Sequence, residues 1–233
     1  MSTENHYTTM QKTFYEGQAS NMAINNHKEH NSNPDYWEIL LHPLSEGDWS
    51  DKVVMDFGCG CGRSVVNVLE NFKVKRIDGV DIGENNIKYS NQLLGSTDFT
   101  NYNFFVTDGQ SLQPALSDEY DFIFSTIVLQ HIPVYNIRRK ILEDMYRCLK
   151  TNGQISIQMG YGDVSKPNLS EYYVNYVDAS GTNGSFDVEV SDEKQIIDDL
   201  TDIGFVNVQT IIRPSWSDNS HSHWIYFKAL KSD

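Results

Sequence analysis

The run Val53-Val54-Met55-Asp56-Phe57 leads directly into Gly58-Cys59-Gly60-Cys61-Gly62, and few folds accept such a sequence. A short apolar run closed by glycines reads as a strand buried on both faces, as in a parallel sheet. Glycines at alternate positions let the backbone turn sharply and approach a ligand closely. The helical pattern that follows offers its N-terminal N–H groups to the same crevice, beyond the carboxyl end of the sheet, where open α/β sheets bind ligands. These features predict a nucleotide-type cofactor site.

From Lys52 onward short apolar runs alternate with helical patterns, the mark of βαβ units feeding a parallel sheet. Strands are predicted at 53–57, 76–82, 102–106, 120–126, 154–159, 205–212 and 223–230, with helices near 62–72, 84–94, 136–149 and 191–203. The last helix starts after Ser191, and the turn Thr151-Asn152-Gly153 is expected to close the helix before it. The fold class is therefore α/β: a doubly wound seven-stranded sheet, mostly parallel, with a C-terminal antiparallel hairpin and helices on both faces. Two segments stand outside this pattern. Residues 1–45 form an N-terminal helical arm, with Tyr7, Met10, Phe14 and Tyr15 at helical spacing and a second helical stretch from Pro34 to about Pro43. Residues 160–190, rich in Gly and Tyr, are too long for an ordinary connection and read as a substrate-side insertion.

At 233 residues, 39% apolar and 21% charged, the chain fits one globular domain covering 1–233, large enough to hold a core without disulfides or a structural metal. Its 18 Lys+Arg against 32 Asp+Glu give a net charge of −14, a surface that repels phosphate polyanions, so nucleic acid is not expected as a partner. No run of about 18 apolar residues predicts a membrane span. Cys59, Cys61 and Cys148 are an odd set without a secretion signal ahead of them, which points to the reducing cytoplasm. Cys59-x-Cys61 is too closely spaced for a tetrahedral zinc site, His27-x-x-His30 has no third ligand at hand, and no metal is expected.

Spacing narrows the cofactor. A dinucleotide loop asks for G-x-G-x-x-G/A, and neither frame of the glycines at 58, 60 and 62 ends on a small residue, since Arg63 and Val65 fall there. A phosphate-binding loop fails because no G-K-[ST] follows. The pattern D-x-G-x-G-x-G instead resembles motif I of the class I S-adenosylmethionine-dependent methyltransferases, small-molecule type. Further elements follow in the family's order: Asp81 in GVDIGENNI, Thr107-Asp108-Gly109, and YDFIFSTIVLQHIP. The resemblance covers about residues 50–230.

The resemblance implies S-adenosylmethionine as cofactor and S-adenosylhomocysteine as product. It implies that Gly58, Cys59, Gly60 and Gly62 form the cofactor loop and that Asp56 points toward the methionine amine. It further implies that Asp81 accepts from the ribose hydroxyls, Ile82 packs on the adenine, and Asp108 and Gly109 read the adenine edge. Thr126 and Ile127 would line the methionine end, and Tyr15 in the arm would close over the cofactor. His131, just after the fourth strand, is the candidate general base, because an imidazole titrates where it can take the proton of an attacking hydroxyl or amine. His221 and His223, two apart, are weaker candidates for the substrate side. The expected reaction moves a methyl group to an O or N atom of a small polar metabolite or sugar-like acceptor. Two other readings stay open: an NAD(P)-dependent oxidoreductase, which tight NAD binding would reveal, and a protein that binds the adenosyl cofactor without transfer. Oligomeric state is open too, with a homodimer among the alternatives.

Overall fold

The computed structural model describes residues 3–25, 33–165, 169–174, 186–215 and 221–232. The chain opens with helix α1 (Thr3–Asn25), then a π-helical turn (Tyr36–Leu40) and the short α2 (His42–Ser45). The alternating part runs β1 (Val53–Phe57), α3 (Arg63–Asn71), β2 (Arg76–Asp81), α4 (Glu84–Leu94), β3 (Tyr102–Val106) and β4 (Tyr120–Thr126). A 3₁₀ turn (Leu129–His131), α5 (Tyr135–Cys148), β5 (Leu149–Tyr161), α6 (Glu193–Ile203), β6 (Phe205–Pro214) and β7 (His223–Lys231) complete it.

The seven strands form one sheet in the order β3-β2-β1-β4-β5-β7-β6. The first five are parallel, and β7 runs antiparallel to both β5 and β6. All five residues of β1 are buried because each face of the sheet is covered. Val53, Met55 and Phe57 join one apolar cluster with Ile123, Leu142 and Ile155; Val54 joins the other with Tyr36, Leu40, Val65 and Phe124. Strand order reverses between β1 and β4, and that switch point opens a crevice at their carboxyl ends.

Three local expectations are corrected. Pro43 does not stop a helix but sits in the first turn of α2, where its missing N–H costs nothing. Thr151-Asn152-Gly153 does not close α5, which ends at Cys148. Asn152 (φ 62°) and Gly153 instead lie inside β5, where the register against β4 shifts between Tyr120 and Phe122. A Cβ on Gly153 would stand 2.8 Å from the Lys150 carbonyl oxygen. The cap of α6 is Asp192 rather than Ser191: its Oδ1 accepts the Lys194 N–H at 2.9 Å, and Gln195 completes a capping box. No helix among the described residues is long and apolar enough to cross a membrane.

Candidate functional site

A cavity of about 320 Å³ lies at the switch point, walled by the loops after β1, β2, β3 and β4 and roofed by α1. The glycine loop forms its floor. Gly58 and Cys59 donate their N–H groups to the Val80 carbonyl at 2.8 and 3.0 Å, bending the chain back over β2. Gly58 has φ 74°, and a Cβ there would overlap the Val128 side chain, so only glycine passes. Gly62, also left-handed, precedes α3 without a side-chain cap, which leaves the first N–H groups of that helix for the crevice.

Asp81 closes the next wall. Its Oδ2 accepts the Gly60 N–H at 3.0 Å; its Oδ1 accepts from Gly83 N at 2.8 Å and Asn86 Nδ2 at 2.9 Å. Burial raises its pKa, and these three hydrogen bonds oppose the rise. A carboxylate offers about four acceptor sites, so capacity remains for a ligand hydroxyl. Ile82, Thr107 and Gly109 continue the lining, and a Cβ on Gly109 (φ 77°) would collide with Ile82 Cδ1. Asp108 is exposed and outside the lining. Its Oδ1 accepts from the Gln110 and Ser111 N–H groups at 2.8 Å each, holding the turn that presents Gly109.

Asp56 lies under the loop, 2% exposed and outside the lining, with Oδ2 lacking a hydrogen-bond partner. Burial pushes its carboxyl up to about 8, opposed by the Arg63 cation and reinforced by Asp81. Cys59 and Cys61 line the cavity as protonated thiols; burial pushes Cys61 up to about 11. Among the described residues no group of three or more His, Cys, Asp or Glu is placed to hold a metal.

After β4 the chain enters the cavity wall. Thr126 Oγ1 donates to Gln158 Oε1 at 2.5 Å, and Ile127 takes a left-handed conformation (φ 58°) that β-branched residues avoid. His131 lines the cavity opposite. Its Nδ1 lies 2.8 Å from the Phe186 carbonyl oxygen and 3.2 Å from Asp187 Oδ1, both acceptors, so Nδ1 carries the proton and Nε2 keeps the lone pair in the neutral ring. Gln11 of α1 donates through Nε2 to the His131 carbonyl oxygen. Tyr15 lines the cavity with its ring 6.1 Å from that of His131. Burial, then the charges of Asp187 and Asp81, hold its phenol above the ordinary range.

Of the residues singled out in the sequence, Gly58, Cys59, Gly60, Asp81, Ile82, Gly109, Thr126, Ile127, His131 and Tyr15 line one cavity, while Asp56, Gly62 and Asp108 lie outside the lining. His221 is buried behind the site and His223 is exposed; His27 and His30 lie outside the described residues. Gln11, Arg63, Ser64 and Asn86 also line the cavity and carry no motif signal of their own.

An adenosyl cofactor fits this site. Asp81 and the Gly109 turn stand at one end, the glycine loop in the middle, and the unpartnered carboxylate oxygen of Asp56 lies beneath the loop. Residues 54–153 match the family model described as a methyltransferase domain. The chain is 35% identical over 79 residues to malonyl-[acyl-carrier protein] O-methyltransferase 2 of Ilyobacter polytropus, covering 34% of this chain and 29% of that protein. It is 28% identical over 106 residues to trans-aconitate 2-methyltransferase of Rhizobium rhizogenes, covering 45% and 37%. The matched stretches thus span less than half the length of these curated relatives. The fold is similar to that of a Haemonchus contortus phosphoethanolamine N-methyltransferase 2 in complex with phosphomonomethylethanolamine and S-adenosylhomocysteine. That similarity has a TM-score of 0.72 at 15% identity and covers 100% of this chain and 61% of the other. Residues 54–153 thus carry the likeness to a methyltransferase domain, and the solved structure, at 15% identity, is similar in fold.

Proposed function

We propose that the protein transfers the methyl group of S-adenosylmethionine to an O or N atom of a small polar metabolite or sugar-like acceptor. The observation that carries this reading is that His131, its Nδ1 engaged by Phe186, shares one cavity with the glycine loop and Asp81. When bound, the cofactor would supply an electrophilic sulfonium methyl, the carbon–sulfur electron pair staying on sulfur as the acceptor's lone pair takes the methyl carbon. The chain then has to position the acceptor, exclude water and remove a proton. His131 Nε2 takes that proton, Asp81 holds the ribose, Asp56 faces the methionine ammonium, and Gln11 and Tyr15 roof the site. The matched relatives are named for methyl transfer to malonyl-[acyl-carrier protein] and to trans-aconitate, which supports a metabolite-type acceptor here. The acidic surface, net charge −14, supports an acceptor other than nucleic acid.

The test is calorimetric titration of the protein with S-adenosylmethionine, S-adenosylhomocysteine and NAD in parallel, then release of S-adenosylhomocysteine over a panel of hydroxyl, amine and carboxylate metabolites. Binding of the first two with turnover of a panel member is expected. NAD binding alone overturns the cofactor, and cofactor binding with no product across the panel favours a non-catalytic role.

A further inference from the structure

Next to His131 stands a chain of ionisable groups, none of which lines the cavity. Asp187 Oδ1 lies 3.2 Å from His131 Nδ1 and 3.3 Å from His221 Nε2. His221 Nδ1 in turn lies 2.9 Å from Glu189 Oε1, and Glu189 Oε2 accepts the Val164 N–H at 3.0 Å. Glu189 and His221 are each 2% exposed, and buried ionisable groups persist only when paired. The backbone locks the arrangement: Val188 N donates to the Gln130 carbonyl at 2.8 Å, beside His131, and Val190 N to the Gly160 carbonyl at 3.0 Å. A Cβ on Gly160 would overlap the His221 ring, so the sheet leaves space for that ring and no more.

The hydrogen-bond chemistry gives His221 two states. Its Nδ1 donates to Glu189, since an ionised carboxylate only accepts. Its Nε2 has two neighbours among the described residues, Asp187 Oδ1 at 3.3 Å and Gln130 Nε2 at 3.0 Å. Gln130 cannot turn over, since its Oε1 accepts the Gly160 N–H at 3.1 Å, so it presents its NH₂ to the ring. A neutral His221 therefore accepts from Gln130, whereas a cationic one donates to Asp187. Burial alone lowers the His221 pKa, but Asp187 and Glu189 reverse this and hold it above the ordinary imidazole value. Around this cluster stand His131 itself, the Tyr15 phenol of α1, and the Trp224 ring, 5.1 Å from His221 on β7. Glu171 is bridged to Glu189 along the backbone, with its own side chain exposed.

We propose that Asp187, His221 and Glu189 are positioning residues for methyl transfer. They fix His131 with Nδ1 protonated and provide the counter-charge for the imidazolium formed when Nε2 takes the acceptor's proton. The proposal rests on the reading of His131 as the base. While His221 is cationic, Asp187 is shared between two rings. Once His221 loses its proton and its Nε2 accepts from Gln130, Asp187 no longer receives a hydrogen bond from that ring, so base strength follows the ionisation of a residue that touches neither substrate nor cofactor. The proton His131 receives leaves through the same Nε2 to solvent after the methylated product departs.

The experiment is a pH titration of the ¹⁵N-histidine-labelled full chain by two-bond ¹H–¹⁵N spectroscopy, in wild type, Asp187→Asn, Glu189→Gln and Glu189→Asp. In wild type, the His131 signals show the Nδ1–H tautomer and a second inflection coincident with the titration of His221. Glu189→Gln moves the His221 midpoint down by about one pH unit or more, Glu189→Asp restores most of it, and Asp187→Asn removes the second inflection from His131. With an acceptor from the panel, Glu189→Gln shifts the pH profile of kcat by the same amount and leaves KM unchanged. His131 signals blind to His221 in wild type, or unaltered by Asp187→Asn, overturn the relay. Full turnover by His131→Ala overturns the base reading instead, and the spectroscopic coupling is measured independently of it.

Discussion

Asp81 joins the two halves of the cofactor site: its Oδ2 accepts the Gly60 N–H at 3.0 Å, while its Oδ1 accepts the Gly83 N–H at 2.8 Å. One carboxylate thus ties the glycine loop to the start of α4. Asp81→Ala removes that tie together with the proposed ribose contact. Because hydrogen bonds to charged groups are worth about 1.5–3 kcal/mol each, S-adenosylhomocysteine affinity should fall by roughly 100-fold or more. Calorimetry checks this, and wild-type affinity in the variant rejects the ribose assignment.

Gly58→Ala meets two penalties, a left-handed backbone and a Cβ that overlaps the Val128 side chain. We expect a loss of about 2 kcal/mol or more in unfolding free energy, with weakened cofactor binding. Adding Val128→Ala removes the contacts with both Val128 Cγ atoms but leaves the Cβ of residue 128 at 3.0 Å and the dihedral strain, so the double variant should recover only part of the stability. Denaturant melts of the single and double variants decide it, and full recovery means that the backbone carries no strain.

Asp56, read as a charge beneath the methionine ammonium, should make cofactor affinity depend on pH. Burial pushes its carboxyl up to about 8, so the free protein holds a proton that must leave when a cationic ammonium docks. Affinity for S-adenosylhomocysteine should rise with pH up to about 8 and then level, and Asp56→Asn should flatten this part of the dependence. Stability moves the other way. An unfolded Asp titrates near about 3.9, so the contribution of the protonated carboxyl is fully present below that value and is lost as pH rises through the folded pKa. The Asn variant should therefore gain on wild type in Tm between about pH 4 and pH 8. Parallel slopes for the two proteins dismiss both effects.

His131→Ala should slow methyl transfer by about 10²–10⁴-fold, the usual contribution of a general base, while cofactor affinity stays near wild type. Steady-state kinetics beside calorimetry separate the two quantities. Unchanged kcat removes His131 from the chemistry.

The sheet is legible in the sequence because parallel strands covered on both faces must be largely apolar, as Val53–Phe57 are apart from Asp56 at the edge of the glycine loop. Asp81 and the glycines are legible because their spacing follows from a local strand-turn-helix geometry. The relay beside His131 is not. Phe186 stands 55 positions beyond His131 in the chain, with Asp187 next to it, so no local pattern announces the pair. One signal does exist. Phe186-Asp187-Val188-Glu189-Val190 alternates apolar and acidic residues, the period of a half-buried strand, and that alternation puts Asp187 and Glu189 on one side while Phe186, Val188 and Val190 are buried. Asn152 misleads for a related reason: a left-handed residue marks a bulge within a strand as readily as the end of a helix, and only the partner strand distinguishes them.

The arm α1 is fastened over the cavity in two chemically different ways. Tyr7 is seated by burial, 1% exposed, and Gln11 by an uncharged hydrogen bond to the His131 carbonyl, whereas Lys12 and Glu16 hold by charge: Lys12 Nζ lies 2.8 Å from Glu84 Oε1, and the Glu16 carboxylate accepts the Glu84 and Asn85 N–H groups at the start of α4. Exposed pairs of this kind weaken as salt is added, with a screening length of about 8 Å at physiological ionic strength, while buried contacts such as Asp81 to Gly60 are screened much less. Added salt therefore weakens the charged fastenings of the arm, at Lys12 and Glu16, more than the floor of the site, which makes ionic strength a means of loosening the arm without disturbing the sheet beneath it.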